Sequence, residues 1–411
     1  MNYKALFFYF RFGNKNLWRR KIRTLLLGIS LSVITIIGIL FLGYSQGVSK
    51  QMIGGAIDNY LGTVLIYDSA SKQDVLWPES LSSFYSSKII KELSSRNELS
   101  VRKQYRVKAF TYSANNQQSI LIIGAEEKYK NKIQIKIGSN LDGANQILIS
   151  SKTARNLGVE INDTIACEVV TQDGRRNFDY LQVVGIYQII GLSDIMSSHM
   201  AIATINTVQT LMNESEDMVT ELVINKNGRI TDESLFSFVN SIVNKKNSSL
   251  KVIDWKHYGS ILLAIATTNI VSIWVLWGIT MAIVAVFLFD TLLSIVEERK
   301  KEYGIMMSMG LKLWQMTCIF MGEIMMLSLY FILPGILIGG LLVNVFRKLG
   351  IPINNEAIKS IIGGFDKLYP SINTSSLVIS FLLLIAFINM VSFFAILKIV
   401  KLKPIEVLKN E

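Results

Sequence analysis

Four long apolar runs constrain the fold of this chain more than any other feature of its 411-residue sequence. They cover residues 24–44, about 260–289, about 317–346, and 377–397. Each is long enough to supply the roughly 20 residues that a helix needs to cross the hydrocarbon core of a bilayer. A buried helix of a soluble protein is the alternative for any single run, but four such runs favour a membrane protein. The predicted fold class is therefore membrane α-helical, with four transmembrane helices.

Lysine and arginine residues flank these runs and predict their orientation. They crowd three regions, before the first run, between the second and third runs, and after the fourth run: Lys4, Arg11, Lys15, Arg19, Arg20, Lys21 and Arg23; Arg299, Lys300, Lys301 and Lys312; Lys398, Lys401, Lys403 and Lys409. Because positive charge marks the cytoplasmic side, we expect both termini and the loop between the second and third runs to be cytoplasmic. These flanks account for the net charge of +11, and no nucleic-acid partner is expected.

A long polar insert separates the first apolar run from the other three, which gives a 1+3 topology. Short stretches of the insert that are rich in Ile, Val and Leu predict strands: LGTVLIYD, QSILIIGA, NQILIS, DTIACEVV and DYLQVVGIYQII. Helical spacing around residues 81–93, 151–158 and 233–246 predicts helices between them. We therefore expect three parts: an amphipathic segment with the first transmembrane helix (residues 1–45), a large extracytoplasmic α+β domain (residues 46–258), and a three-helix membrane domain (residues 259–411).

The motifs of common active sites are missing from the sequence. It contains no GxxxxGK[ST] phosphate-binding loop, so we do not expect the chain to hydrolyse ATP alone. Its two histidines, His199 and His257, are far apart and lack the pattern of a metal site. Ser69 and Lys72 fit the S-x-x-K pattern of acylating enzymes, but the partner motifs are absent. The sequence therefore predicts no catalytic residue, no metal and no bound cofactor.

The stretch EERKKEYGIMMSMG, residues 297–310, lies between the second and third apolar runs. A turn at Tyr303–Gly304 and a helical turn ending at Gly310 would present apolar side chains below the membrane. Methionine suits a surface that adapts to a moving partner. A plain amphipathic turn at the lipid interface is the alternative. The candidate docking residues are a charged rim and an apolar patch with its glycines: Glu298, Arg299, Lys301 and Glu302; Gly304, Ile305, Met306, Met307, Met309 and Gly310.

Three glycines of the third apolar run form a second candidate site. Gly335 and Gly339 are spaced as in a small-x-x-x-small motif, and Gly340 follows directly. Small residues let helix backbones approach closely in a membrane. We therefore predict a helix-packing face, used either within this chain or against a second copy or a paralogue.

The stretch EERKKEYGIMMSMGLKLWQM resembles the signature of the FtsX-like permease family. The matching positions are Arg299, Glu302, Gly304 and Gly310. The segment that leads into the first run, NLWRRKIRTLLLGIS, and the tail LKPIEVLKNE are also similar to the family. GSNLDGANQILISSKTARNLGVEINDTI, residues 138–165, resembles the MacB-type periplasmic core domain. One departure is YGIMMSMG, where relatives often carry an Ile-x-x-Leu-Arg pattern.

This resemblance implies the membrane subunit of an ABC transporter in a bacterial inner membrane. The partner would be a separate cytoplasmic ATPase dimer, which binds the ATP and Mg²⁺. Residues 298–310 would supply the coupling helix that docks into the ATPase. The implied mechanism is mechanotransmission, in which helix movements carry the work of ATP hydrolysis to the extracytoplasmic domain.

The stretch LKVIDWKHYGSILLAIATTNI, residues 250–270, resembles lipoprotein-releasing permeases at Trp255, Gly259 and Ala264. This similarity implies a lipoprotein substrate, a periplasmic carrier, a second permease as dimer partner, and acyl chains against the first and second spans. A MacB-type export permease and an FtsX-type regulator of a cell-wall hydrolase are the alternatives.

Overall fold

The computed structural model describes residue 17 and residues 21–72, 77–78, 80–93, 98–126, 133–226, 228, 230–246, 249–298 and 300–400. Most of the predicted N-terminal amphipathic segment and all of the C-terminal tail LKPIEVLKNE lie outside these residues. The chain divides into two compact units. The helical unit comprises Met1–Gly47, Asn269–Ile351 and Tyr369–Glu411, and the sheet unit comprises Val48–Thr268 and Pro352–Leu368.

The helices and strands are numbered here in chain order. They are α1 (Lys21–Ala56), a π-helical turn (Ile57–Leu61), β1 (Val64–Asp68), β2 (Phe84–Tyr85), α2 (Ser87–Leu93), β3 (Leu99–Tyr112), β4 (Gln117–Ala125), β5 (Ile133–Gly138), β6 (Gln146–Ser150), α3 (Ser151–Leu157), β7 (Thr164–Val170), β8 (Arg176–Ile189), α4 (Asp194–Ser197), β9 (Met200–Thr204), α5 (Ile205–Leu211), β10 (Met218–Val219), β11 (Glu221–Lys226), α6 (Asp232–Lys246), β12 (Leu250–Asp254), α7 (Trp255–Tyr258), α8 (Ser260–Glu298), α9 (Lys300–Ser308), α10 (Leu313–Leu349), β13 (Ile351–Pro352), α11 (Glu356–Ile362), β14 (Lys367–Leu368) and α12 (Thr374–Val400).

Long apolar helices build the helical unit. Among the described residues, three helices are long and apolar enough to cross a membrane: Thr24–Leu61, Trp314–Leu349 and Thr374–Ile396. The second predicted run lies in α8, a single helix of 39 residues with a shorter apolar stretch at Trp274–Ile283. The prediction of membrane helices is therefore confirmed, whereas the count of four spans and the 1+3 topology remain predictions.

The sheet unit is built on one mixed β-sheet. Its strands lie in the order β12-β1-β11-β3-β4-β9-β6-β8-β5, and β7 pairs with both β3 and β8. The pairs β4–β9 and β6–β8 are parallel, and the other ladders of this sheet are antiparallel. Buried residues alternate along β7, where Ile165, Cys167 and Val169 enter an apolar core. This mixed sheet with intervening helices confirms the predicted α+β character of the insert.

Residues 352–368 also belong to the sheet unit, although they lie far from the insert in sequence. The backbone N–H of Gly191 donates to the carbonyl of Gly363 at 2.9 Å. A Cβ atom on Gly363 would lie 3.0 Å from the carbonyl carbon of Gly191, so the two backbones are in direct contact. The sheet unit is therefore assembled from two separate stretches of chain.

All five predicted strands are present, but two local predictions differ from the structure. The predicted helix near residue 81 begins only at Ser87, because Phe84 and Tyr85 pair with β10. The turn predicted at Tyr303–Gly304 is wrong, since α9 runs through both residues and ends at Ser308. Glycine costs only about 1 kcal/mol inside a helix, which neighbouring contacts can offset.

Candidate functional site

Helix α9 and the turn after it form the candidate docking site. The backbone N–H groups of Met309 and Leu311 donate to the carbonyls of Ile305 and Met306, both at 3.1 Å, which closes the end of the helix. Gly310 follows with φ of +94°, a backbone conformation that glycine adopts without steric cost. The chain then enters α10, where the N–H of Lys312 donates to the side-chain oxygen of Gln315 at 2.9 Å. The turn at Gly310 therefore separates two helices.

The side chains of α9 divide between an exposed face and a packed face. Ile305 is 56% exposed and Met309 is 72% exposed, whereas Gly304 is buried. Met306 is half-buried and packs against the apolar core of the helical unit. Glu302, which is also exposed, lies three residues before Ile305 and therefore on the same side of the helix. Among the side chains of α9 that the structure describes, the exposed face thus presents Ile305 and Met309 beside the carboxylate of Glu302.

The remaining residues predicted for docking are placed as follows. Glu298 is the last residue of α8, and Lys301 and Met307 lie within α9. Arg299 lies outside the described residues. The side chains of Glu298, Lys301 and Met307 lie outside the described part of the structure. Among the described side chains of the predicted apolar patch, Ile305 and Met309 are the exposed ones.

The arrangement on α9 suits binding rather than chemistry. Exposed Ile and Met side chains on one helix can enter an apolar groove of another protein, where methionine adapts its shape to the partner. Within the described part of the chain, no group of three or more His, Cys, Asp or Glu residues is placed to hold a metal ion.

Two of the three glycines predicted for helix packing lie against α1. A Cβ atom on Gly335 would lie 3.0 Å from the carbonyl oxygen of Ser32, and one on Gly339 would lie 2.9 Å from Cβ of Ile39. The hydroxyl of Ser32 donates to the carbonyl of Phe331 at 2.6 Å. Gly340 faces α12, where the nearest atom of Leu377 would be 3.7 Å from such a Cβ. The Gly335 and Gly339 contacts are thus made within one chain.

An apolar groove between α1 and α8 was not predicted residue by residue. Its volume is about 220 Å³. Gly38 lies opposite Trp277, whose indole nitrogen is only 2.4 Å from the position of a Cβ atom on that glycine. The lining residues are Ile34, Ile37, Gly38, Phe41, Leu276, Trp277 and Met281. The absence of a side chain at Gly38 is the sequence signal that such a groove could open there.

Long apolar helices and a mixed-sheet unit, with a short helix between two of the long ones, define the class of this chain as a membrane protein. The sequence matches the model of the MacB-like periplasmic core domain over residues 24–231 and that of the FtsX-like permease C-terminal over residues 274–404. The first match alone covers just over half of the chain. The chain therefore belongs to the family of FtsX-like ABC transporter permeases that carry a MacB-like periplasmic core domain. Permeases of this type work with an ABC ATPase.

Solved structures of low sequence identity are also similar to this chain. The extracellular domain of the noncanonic ABC-type transporter YknZ from Gram-positive bacteria is 13% identical, with 46% of this chain and 99% of that chain covered and a TM-score of 0.34. The periplasmic region of MacB from Actinobacillus actinomycetemcomitans is 10% identical, with 52% and 98% covered and a TM-score of 0.36. Among curated proteins, none matches the sequence. The family assignment therefore depends on the two family models.

Proposed function

We propose that this chain couples ATP hydrolysis on a separate ABC ATPase dimer to work outside the membrane, with α9 as the helix that docks into the ATPase. The exposed pair Ile305 and Met309 carries this proposal, because it lies within the FtsX-like region on a short helix between two long ones. ATP and Mg²⁺ bind the partner ATPase, and this chain binds no cofactor. A second permease, either a copy or a paralogue, completes the complex.

The proposed topology has four spans in the bacterial inner membrane, with α8 as the second, both termini in the cytoplasm and the sheet unit outside. The lengths of α8 and of the candidate span Thr24–Leu61, which comprises most of α1 and the π-helical turn, support it. Thr24–Leu61 comprises 38 residues and α8 comprises 39. At about 1.5 Å per residue, each helix is about 57 Å long or slightly longer, against a hydrocarbon core of about 30 Å. Helices of this length suit mechanotransmission, because they extend beyond the bilayer.

Charged substitutions on the exposed face of α9 test the docking proposal. We expect Ile305→Asp and Met309→Asp to lower co-purification with the cognate ATPase at least tenfold, because each places a carboxylate in an apolar contact. Ser308→Asp is the matched control, since Ser308 is an exposed residue of the same helix and no apolar contact is assigned to it. Association should be measured in detergent and ATP turnover in lipid nanodiscs. Undiminished association of both variants would remove α9 from the interface.

Lipoprotein release from the inner membrane is the transport function that we propose. The groove between α1 and α8 supports it, because apolar walls formed by residues such as Ile37, Phe41 and Leu276 suit an acyl chain. The lipoprotein would then pass to a periplasmic carrier. A MacB-type export permease and an FtsX-type regulator of a cell-wall hydrolase are the alternatives, and neither requires an acyl chain in this groove.

Photo-crosslinking distinguishes these functions. A benzophenone amino acid at Phe41, which lines the groove, should capture a palmitate-labelled protein in cells. The same probe at Phe394, an exposed aromatic residue of α12, is the control and should capture phospholipid without the labelled protein. Equal capture at both positions, or no labelled protein at Phe41, would contradict lipoprotein release and leave the docking proposal intact.

A further inference from the structure

Two arginines of β3 are buried in the sheet unit. Arg102 is 4% exposed and Arg106 is 0% exposed. They are four residues apart on one strand, so both side chains point to the same face of the sheet. Burying a guanidinium group costs several kcal/mol unless charged and polar partners surround it. The partners of these two side chains therefore indicate what the arginines hold.

Arg106 is held by partners from three other segments. It forms a fully buried ion pair with Glu221 of β11. It also donates to the hydroxyl of Tyr60 at 3.3 Å and lies over the ring of Tyr258, 5.6 Å from its centroid. Burial lowers the pKa of the guanidinium, but Glu221, Tyr258 and Tyr60 together outweigh that effect, so the pKa is raised above its ordinary value. Arg106 is therefore charged at every physiological pH.

Arg102 binds the backbone of the π-helical turn that ends α1. Its guanidinium donates to the carbonyl of Asn59 at 3.1 Å and to that of Tyr60 at 2.6 Å. A helix end leaves carbonyl groups without intrahelical partners, so an arginine that binds them fixes the end in one orientation. The side chain of Asn225 in β11 adds a contact, since its oxygen accepts from the N–H of Thr63 at 3.2 Å.

The same cluster also holds the beginning of α8. Tyr258 is the last residue of α7, and α8 begins two residues later. Gly259 between them is in close contact with Leu61 of the π-helical turn, whose Cδ1 would lie 2.9 Å from a Cβ on that glycine. The segment that follows α1 and the segment that precedes α8 therefore meet at one place, and Arg106 contacts one residue of each, Tyr60 and Tyr258.

We propose that Arg106, together with Arg102 and Glu221, is the joint that transmits movement of α1 and α8 to the β-sheet. This inference rests on the proposed coupling function. A buried ion pair is often no more stabilising than apolar residues of the same volume, whereas its directed hydrogen bonds fix the relative positions of the groups that they join. A joint of this kind needs fixed orientation more than it needs stability. Arg106 is a positioning residue in this role.

The local effect is tested on the full chain in nanodiscs without a partner. The double variant Arg106→Met/Glu221→Leu removes both charges of the ion pair together, so neither member stays buried without the other. We expect amide hydrogen exchange of residues 57–63 to quicken at least tenfold, with exchange in β4 and β9 unchanged. Tyr60→Phe removes only a hydroxyl and should quicken the exchange of residues 57–63 less. It replaces the double variant in this test if the double variant does not fold. Unchanged exchange of residues 57–63 in the folded variants would overturn the joint.

Transmission is tested in the complex with the ATPase by distances between spin labels, in a chain with Cys318→Ser. One pair, at Val275 and Val378, reports movement among the membrane helices, and the other, at Asp173 and Val378, reports movement of the sheet. All three residues have exposed side chains. We expect ATP to shift both distances in the otherwise unaltered chain. In the double variant the first shift should persist and the second should be lost.

The outcomes separate the joint from the proposed function. If the Asp173–Val378 distance still shifts in the double variant, the joint is wrong while the coupling function stands. If neither distance shifts with ATP in the unaltered chain, the coupling function itself fails, and the joint fails with it. A merely structural role for Arg106 predicts a lower unfolding temperature with both shifts retained, which would also overturn the joint.

Discussion

Asp217 shows how a single carboxylate fixes the start of helix α2. Its Oδ1 atom accepts hydrogen bonds from the hydroxyl of Ser86 at 2.8 Å, from the backbone N–H of Ser87 at 3.0 Å, and from the Ser87 hydroxyl. The ammonium group of Lys103 lies 3.7 Å away. Partial burial raises the pKa of Asp217, but the hydrogen bonds and the lysine together outweigh it, so the pKa is lowered. The ionised form is therefore bound more tightly in the folded state.

This lowered pKa predicts a dependence of stability on pH. The contribution of Asp217 is fully present above the unfolded carboxyl pKa of about 4 and is lost as the pH falls through the lower folded value. We expect Asp217→Asn to cost about 1 kcal/mol at pH 7, the usual cost of losing a helix cap, and less at about pH 2, below the unfolded carboxyl pKa. Thermal unfolding midpoints of both proteins, measured in parallel at the two pH values, check this. If the unfolding midpoints of the two proteins differ equally at both pH values, Asp217 stabilises the fold through something other than its charge.

Cys167 offers a way to follow unfolding of the sheet unit. Cys167 is a residue of β7 that is 0% exposed and lies in the apolar core. Burial raises the pKa of its thiol to about 12. A buried, protonated thiol does not react with electrophilic dyes, whereas the same thiol in the unfolded chain does. In a Cys318→Ser background, dye reaction therefore reports the unfolding of this core.

At the residue scale, the sequence predicted what kind of side chains α9 would offer, but not which of them would be exposed. The Met-rich composition indicated an apolar surface. Composition alone does not say which side of the helix each residue lies on. Which residues are exposed depends on where the helix begins and on how Met306 packs against other helices. That packing involves residues distant in sequence. The charge of Arg106 was equally visible in the sequence, but its burial was not.

At the level of elements, the end of α1 illustrates close packing of backbones. Gly54 and Gly55 are adjacent in this helix, yet their surroundings differ. A Cβ atom on Gly54 would meet no atom within 4 Å, whereas one on Gly55 would lie 2.9 Å from Cα of Gly191 and 3.0 Å from the ring of Phe365. The backbone of Gly191 cannot rotate away as a side chain can. The two positions should therefore respond oppositely to one added methyl group.

We expect Gly55→Ala to destabilise the sheet unit by about 1–3 kcal/mol, the usual cost of overpacking. Gly54→Ala is the matched control and should be neutral or stabilising by up to about 1 kcal/mol, because alanine is the better helix former. The thermal midpoint of dye reaction at Cys167 measures both. If Gly54→Ala and Gly55→Ala lower the thermal midpoint equally, helix α1 needs glycine for a reason other than the contact with Gly191.

Strands and helices differed in how far the sequence predicted them. Apolar strands such as β4 and β6 were predicted, since Ile and Leu dominate them. The 14-residue strand β3 was not predicted, because Arg102, Lys103, Arg106 and Lys108 interrupt its apolar pattern. An arginine at an inward position of a strand is found only where other elements supply its partners. The residues that allow Arg106 to be buried in β3 are Glu221, Tyr60 and Tyr258, which are distant in sequence.

At the scale of the whole molecule, the order of motifs predicted the family correctly. The signature at residues 297–310 and the core-domain resemblance at residues 138–165 fall within the two family matches. The sequence did not predict that residues 352–368 belong to the sheet unit, since they contact it through backbone groups of glycines. Contacts between glycine backbones produce no periodic pattern of apolar residues, so the sequence gives no sign of them.

The sheet unit is made of two chain segments, so four covalent crossings connect it to the helical unit. It cannot be exchanged between relatives as a single cassette. A chimaera that grafts only residues 48–268 keeps the native 352–368 segment facing a foreign neighbour, and the Gly191 amide loses its matched acceptor. Recombination within this family is thus expected to succeed only where both segments are inherited from the same parent.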